Sequence, residues 1–420
     1  MENGILVSSV DLRPSLMSIL KGLDEALLLK KVVTTVAFDP DSLFGKCITA
    51  VSSVLPSAWK RGIDRRFLPD FLKKKVKTLY SPELLRLSAN RLGGQTLGQR
   101  VWLWAELDFD CKVAVRYAGI YNCVYGMEHS SLATFKKQKQ SGGLCILRQV
   151  MAHGRSAANV IKSQINKFPE YAGAYGELFQ KDMERSLVRK ESEYQLADLI
   201  VANSVFVKET FVESGVAPEK IVVIPTGCPP CSNTPANAGL GEKPLIFLFA
   251  GNLSLRKGLI YLIKAWQLLK PGKAAELWLA GTPEVSYNIF KGQEGIRYLG
   301  ALSQPELAGI YIRSDVFVLP TLLEGLAHVI LEALSYGLPI ITTRESGCGD
   351  FVQNGRNGLV IEAASIEALC NAMAYCLGHR AQLKKMGVSS MEEARAWTVP
   401  DSNHAHLLTI QKFLEEKKVK

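Results

Sequence analysis

The chain has 420 residues, 47% hydrophobic and 21% charged, with 50 Lys and Arg against 40 Asp and Glu for a formal net charge of +10. That length exceeds what one hydrophobic core usually supports, so two domains are expected, and the composition excludes a disordered chain. Nine cysteines, an odd number without framework spacing, exclude a disulfide scaffold and fit a reducing compartment.

In chain order, residues 5–10 read as a short buried strand, residues 14–29 as a helix opened by Pro14, and residues 31–38 as a second strand. This alternation predicts a parallel sheet. Arg13, between the first strand and its helix, is assigned to the acceptor side of a cleft. Residues 59–77 interleave Lys60, Arg61, Arg65, Arg66, Lys73, Lys74, Lys75 and Lys77 with Trp59, Phe67, Phe71 and Leu72. Such a stretch suits an anionic membrane surface, and a solvated basic face is the plain alternative. Nucleic acid is not expected as a partner, because no recognition motif, zinc site or stacking platform accompanies the charge. No apolar run reaches the ~18 residues of a spanning helix, and the start Met1-Glu2-Asn3-Gly4 lacks a basic n-region and an h-region. The expected location is the cytoplasm, peripheral at the inner face of the membrane.

Further strands are predicted at 123–126, 144–150, 199–202 and 221–224. Glu128 and His129 follow the first of these and His153 the second, at the carboxyl ends where an open sheet forms its cleft. A lone histidine is more often structural than catalytic, so these positions stay open on residues alone. Residues 226–243 contain Gly227, Pro229, Pro230, Pro235, Gly239 and Gly241 with few apolar residues, and read as a hinge. The organisation is therefore a first domain over 1–225, a linker over 226–242, a second domain over 243–398 and a terminal helix over 399–420. Cys228-Pro229-Pro230-Cys231 has redox-motif spacing, but it stands alone in a proline-rich linker and reads as accidental.

The second half carries the chemistry. Residues 245–250 form an uncharged run, as a strand covered on both faces must be, leading through Gly251-Asn252-Leu253-Ser254-Leu255-Arg256-Lys257-Gly258 into an amphipathic helix over 259–270. Arg256 and Lys257 thus stand at a strand's carboxyl end beside a helix start, where open α/β sheets bind nucleotides. Two cations there can neutralise a diphosphate, including one that departs with growing charge. A second apolar strand ends at Pro320, Gly325 allows a turn, and residues 326–336 read as a helix stopped by Gly337-Leu338-Pro339. Glu324 would lie just before that helix and Glu332 up to about 12 Å along it, with free backbone N–H groups at Gly325, Leu326 and Ala327 between them. A carboxylate accepts two hydroxyl hydrogen bonds, so Glu324 suits a sugar and Glu332 a ribose. The plain alternative makes Glu324 a charge favourable to the helix dipole and Glu332 an exposed helix residue. No metal is expected, since no aspartate pair has divalent-ion spacing.

Together these residues resemble the retaining GT-B glycosyltransferases of family 4. The family's glycine loop with Lys-Gly, its Glu-x7-Glu and its Gly-x-Pro are matched by residues 251–258, by Glu324 and Glu332, and by Gly337 and Pro339. The likeness continues through 277–281, 296–300, 308–316 and 354–360, and in the first half through 191–204 and 219–227. Residues 40–110 match nothing. The resemblance implies an α/β GT-B fold, two facing Rossmann-like doubly wound domains with a cleft between them. It implies transfer, with retention, from a UDP- or GDP-linked nucleotide-diphosphate sugar to an acceptor hydroxyl in polysaccharide, lipopolysaccharide or glycolipid assembly. The acceptor would be a saccharide, a lipid-linked saccharide or a small molecule, and no cofactor is implied beyond the donor itself. Gly251, Asn252, Arg297 and Tyr298 would touch the donor, His153 would face its sugar, and the terminal helix would pack back on the first domain. One departure stands out: Asn252 occupies the place of an arginine in the diphosphate clamp, and Arg256 would supply that charge from a shifted position. The rival readings are a nucleotide-sugar epimerase or hydrolase, and an inactive donor-binding scaffold, which the Asn252 departure favours.

Overall fold

The computed structural model describes residues 1–53, 57–79, 94–171, 173–236 and 243–418. Seven parallel strands form the first sheet: β1 (Glu2–Ser8), β2 (Leu29–Thr34), β3 (Val76–Thr78), β4 (Tyr121–Met127), β5 (Leu144–Gln149), β6 (Leu199–Ala202) and β7 (Ile221–Val223). Their order is β3-β2-β1-β4-β5-β6-β7. Six parallel strands form the second: β8 (Leu245–Ala250), β9 (Ala275–Ala280), β10 (Ile296–Gly300), β11 (Val316–Leu319), β12 (Ile340–Thr343) and β13 (Gly358–Ile361), in the order β10-β9-β8-β11-β12-β13. Helices connect the strands, and each order reverses once, between β1 and β4 and between β8 and β11. Such a reversal opens a crevice beyond the carboxyl ends of the two strands, where neighbouring connections leave to opposite faces.

The core strands are apolar throughout because both faces are covered. β8 (Leu-Ile-Phe-Leu-Phe-Ala) and β11 (Val-Phe-Val-Leu) are buried almost completely, in one continuous second-domain core with Leu259, Leu262, Ile330 and Leu334. Element ends differ from the sequence reading where local geometry intervenes. The first helix spans Pro14–Glu25 rather than reaching 29, because the chain turns through Leu27 at a positive φ of 60° before β2. β1 ends at Ser8 and β2 at Thr34, both short of the apolar runs that predicted them. The unmatched stretch 40–110 contains helices Leu43–Ser53, Ser57–Asp64 and Gly94–Arg116, and the short edge strand β3 lies inside the basic stretch.

Two chain crossings lie side by side between the domains. Cys228 N–H donates to Trp397 O at 2.9 Å, the Trp397 indole N–H donates to Pro225 O at 3.1 Å, and Ser402 Oγ donates to the same carbonyl at 2.7 Å. Gly227 must lack a side chain, since a Cβ there would lie 2.0 Å from Thr398 O. Past this crossing the helix Val399–Lys418 returns to the first domain and places Ile410, Phe413 and Leu414 among Leu16, Ile19, Leu20 and Leu23. The domains also touch directly. Ser204 Oγ donates to Gly325 O at 2.5 Å, and Tyr261 OH donates to Gln164 Oε1 at 2.8 Å.

Ile410 is fully buried in the first-domain core although it lies ten residues from the chain end. Replacing it by alanine removes buried methyl groups and leaves a cavity, so Ile410→Ala should lower stability by about 2–5 kcal/mol in urea unfolding. The same substitution on a freely solvated terminal helix would cost almost nothing.

Candidate active site

The site is built where β8 and β11 end. Gly251 follows β8 with a φ of +134°, a backbone conformation that side chains avoid, and its missing Cβ leaves room for the Lys257 stem, whose Cδ and Cε would lie 3.3 Å away. Gly258, with a φ of +74°, lets the loop press on the end of β11, where a Cβ would come within 1.9 Å of Pro320 O. The loop then starts the helix Leu259–Leu269.

Between these glycines Arg256 and Lys257 converge on one carboxylate. Arg256 Nη1 lies 2.8 Å and Lys257 Nζ 2.6 Å from Glu324 Oε1, while Arg256 also donates to Leu323 O at 2.7 Å. Both contacts to Oε1 are close enough for charge pairing, but their angles are poor for hydrogen bonding, so this buried oxygen has no directed donor. Glu324 is only 9% exposed. Two cations against one anion leave a net positive pocket, and the carboxylate holds both side chains folded inward. Coulomb attraction is worth more in this partly desolvated loop than at the surface.

The helix expected from residue 326 begins at His328 and runs to Ser335. Leu326 and Ala327 stay outside it because Ala327 N–H donates to Ser346 O at 3.0 Å, and Glu324 N–H likewise donates to Glu345 O at 2.8 Å. The expectation that the Ala327 amide faces a ligand is therefore corrected. Among the described residues the N–H groups of Gly325, Leu326 and His328 have no acceptor, so an anion could take them. Glu332 stands four residues past His328, about 6 Å along the axis and on the same helix face. One of its oxygens accepts from Tyr311 OH at 2.9 Å, and burial raises its pKa, with that hydrogen bond acting the other way.

His328, which the sequence reading passed over, faces the cleft. Its surface is accessible, yet both domains crowd it. Burial lowers its pKa first, and Arg148, Arg13 and Lys257 lower it further against the opposing charge of Glu324. Its signal was its helical spacing from Glu332.

The first domain supplies the opposite wall. Five buried side-chain oxygens lack a hydrogen-bond donor or acceptor among the described residues: Ser8 Oγ, Tyr125 OH, Gln149 Oε1, Asn203 Oδ1 and Glu324 Oε1. Four of them sit in or just beyond the carboxyl halves of β1, β4, β5 and β6, and the fifth follows β11. Buried polar atoms are normally paired, so this concentration at strand ends is out of the ordinary.

Other predicted residues fall elsewhere. His153 caps the helix Gly154–Lys167, accepts at Nδ1 from Arg155 N–H at 3.2 Å, and packs 5.0 Å from the rings of both Tyr194 and Phe211. Burial lowers its pKa. Glu128 is enclosed, accepting from Gln149 Nε2 at 2.9 Å, Lys190 Nζ at 3.0 Å and Tyr194 OH. His129 adopts a positive φ of 71°, pairs through Nδ1 with Glu106 at 2.7 Å and donates its N–H to Glu193 at 2.6 Å, again a structural role. Arg297 lies on the outer edge strand over the Trp278 ring at 5.5 Å and does not join the site. Tyr298 supports it indirectly: its OH donates to Gly281 O at 3.1 Å, and Gly281 packs on Gly251 so closely that a Cβ would meet Gly251 O at 1.8 Å. Asn252 turns outward and donates to Glu284 at 2.6 Å. Arg13 is different: it pairs with Asp11 at 2.9 Å at the exposed start of the helix Pro14–Glu25, yet its charge reaches His328 in the cleft. Among the described residues no cluster of His, Cys, Asp or Glu could hold a metal ion, and no helix is long and apolar enough to cross a membrane.

With this geometry in view, comparison with known proteins is informative. Residues 244–379 match the family described as glycosyl transferases group 1. That match lies within the second domain. The whole chain aligns with solved structures such as an Anabaena protein, HepE, in complex with UDP-glucose, covering 97% of this chain and 99% of that one at a TM-score of 0.60 and 14% identity. The fold is GT-B. Among curated relatives, a sulfoquinovosyl transferase of Arabidopsis thaliana is 29% identical over 43% of this chain and 36% of its own length. A lipopolysaccharide core biosynthesis glycosyltransferase of Rhizobium meliloti is 34% identical over 34% of this chain and 40% of its own. The chain thus spans well under half the length of these relatives.

The buried network beneath His129 gives this GT-B protein a pH signature. Burial pushes Glu193 up to about 8, while the Ser131 and His129 N–H groups and Arg189 pull the other way. The folded protein keeps a proton that the unfolded chain loses above its ordinary 4.5. Stability should therefore fall between pH 4.5 and 8, at up to about 1.4 kcal/mol per pH unit from this group. Glu193→Gln should flatten that slope, as read by urea unfolding at pH 5, 6.5 and 8.

Proposed function

We propose that this chain is a glycosyltransferase that takes a sugar from a nucleoside-diphosphate donor, with retention, and passes it to an acceptor hydroxyl in the cleft. The observation that carries this reading is the Arg256–Lys257–Glu324 cluster at the β8/β11 crevice, flanked by backbone N–H groups without acceptors. A diphosphate entering there competes with Glu324 for both cations. Its arrival would free the carboxylate for two sugar hydroxyls, while Gly325 and Leu326 donate from the backbone. Glu332, held by Tyr311 through one oxygen, keeps the other for a ribose. As the glycosidic bond breaks, charge grows on the departing phosphate, and Lys257 and Arg256 stabilise it. No side chain is placed as a strong base at this point, so the leaving phosphate oxygen takes the acceptor proton. Arg256 supplies the second cation that Asn252 lacks. The relatives' names support a product in glycolipid or lipopolysaccharide assembly, and the UDP-glucose complex of a structural neighbour supports the donor class.

A thermal-shift screen against nucleoside diphosphates and their sugars tests the reading, since a ligand that binds only the folded state raises the melting temperature. Lys257→Ala and Arg256→Ala should each weaken binding of the best nucleotide by ~10-fold or more, the range for a buried charge-assisted contact. An Arg256→Ala protein with undiminished affinity and turnover would remove the compensating role for Asn252. Sugar release without an acceptor would instead favour a hydrolase or epimerase, and binding without turnover a scaffold.

The reading extends to an anionic membrane surface as the place of action. Leu43 and Phe44 project 83% and 57% exposed from the helix Leu43–Ser53, next to the basic stretch 59–77, in which the Trp59 and Arg61 side chains lie outside the described residues. Apolar tips beside cations suit an acidic bilayer. The chain should pellet with vesicles containing phosphatidylglycerol and remain in the supernatant with neutral ones, and Leu43→Ser with Phe44→Ser should weaken that association.

A further inference from the structure

Arg148 is the most anomalous charge in the protein. It stands at position five of β5, only 6% exposed, and among the described residues it makes no ion pair or hydrogen bond. An arginine stays charged in proteins, so burial without a counter-ion is costly, and such groups are ordinarily paired. Its surroundings offer polar groups of the wrong kind. Tyr125 pairs with Ile146 across the sheet, and Arg148, two residues beyond Ile146, shares its face. The Tyr125 hydroxyl is itself buried and unpartnered. The helix Val399–Lys418 covers this face and brings His406 within electrostatic reach of Arg148, but His406 is bonded through Nδ1 to Ser402 O at 2.8 Å, and burial lowers its pKa to about 4, leaving it uncharged. Across the cleft stands His328, its pKa lowered by burial and by the nearby charges of Arg148, Arg13 and Lys257. Glu324, the acid on this side of the second domain, already has two cations.

We propose that Arg148 anchors an anion subsite on the first-domain wall, with Tyr125 OH beside it, and that the acceptor of the reaction carries a phosphate monoester there. This deepens the glycosyltransferase reading and rests on it for the word acceptor. The guanidinium fork matches a phosphate oxygen pair, and the Tyr125 hydroxyl adds a neutral donor. The position separates this subsite from the donor's: Arg148 comes from β5 of the first domain, whereas the diphosphate cations come from the loop after β8. A phosphorylated acceptor held at this wall would present its remaining hydroxyls toward the second domain. A free sugar phosphate and a phosphoinositide headgroup that carries its own phosphate monoester share this chemistry.

The test is calorimetric titration of glucose 6-phosphate into the full-length protein saturated with the best-binding nucleoside diphosphate, for wild type and Arg148→Met. Wild type should bind, and Arg148→Met should lose at least ~30-fold in affinity, the loss expected when one partner of a buried charge pair is truncated. Nucleoside diphosphate affinity should stay within ~2-fold, and the variant's melting temperature should equal or exceed that of wild type, because an apolar side chain of similar size replaces an unpaired buried charge. A fall in melting temperature would make Arg148 structural. A fall in nucleotide affinity would assign it to the donor. Absence of sugar-phosphate binding by wild type would overturn the subsite, unless phosphatidylinositol 4-phosphate vesicles bind with the same dependence on Arg148, which would identify the headgroup as its source. Should no nucleotide bind at all, the titration is run on the Arg256→Ala/Lys257→Ala double variant. Loss of phosphate binding on adding Arg148→Met then upholds the anion site while the donor reading fails, and no loss overturns the site.

Discussion

The structure depends on a charge imbalance enclosed at one strand end. Arg256 and Lys257 reach inward only because Gly251 and Gly258 adopt backbone conformations closed to other residues, and Glu324 meets them with a single oxygen. A lone lysine in such a loop would extend into water, where its ion is best solvated. Here one buried carboxylate holds two cations near each other, and an incoming polyanion finds them already gathered. That pre-organisation lowers the ordering cost of binding.

Strand order places this cluster opposite the right wall. In each sheet the connections part company at a single point, β1/β4 in the first domain and β8/β11 in the second. The carboxyl ends of both sets face one cleft, and the side chains that lack partners collect on them. Contacts between the domains include Ser204 Oγ against Gly325 O, Tyr261 OH against Gln164 and the exposed Arg344–Glu209 pair. Gly325 is the tightest point, since a Cβ there would lie 1.9 Å from Val150 O.

Much of this was legible from residue order. Uncharged runs at 245–250 and 316–319 could only be strands covered on both sides, and glycine-flanked cations after the first placed a charged cluster at its carboxyl end. Glu324 and Glu332 were readable by spacing. The first-domain site was not, because it depends on contacts distant in sequence. His153 and His129 look catalytic after strands, yet one ring is consumed by an aromatic packing partner and a helix cap, and the other by Glu106. Arg148 interrupts an apolar strand and reads only as an irregularity until β4, β5 and the returning helix are assembled around it. The start of the helix at His328 was displaced from the predicted 326 by hydrogen bonds to Glu345 and Ser346, a loop that local propensity cannot foresee.

The returning helix imposes an order on biosynthesis. A ribosome delivers the first 225 residues long before Ile410, Phe413 and Leu414 emerge, yet those three side chains complete the packing over β1, β4 and β5. Until the final segment leaves the exit tunnel, that apolar sheet face lies uncovered. The amino-terminal half must therefore wait in a partly exposed state, in which transient hydrophobic surface invites aggregation. A chain truncated after residue 398 would carry a complete second domain and an unfinished first one.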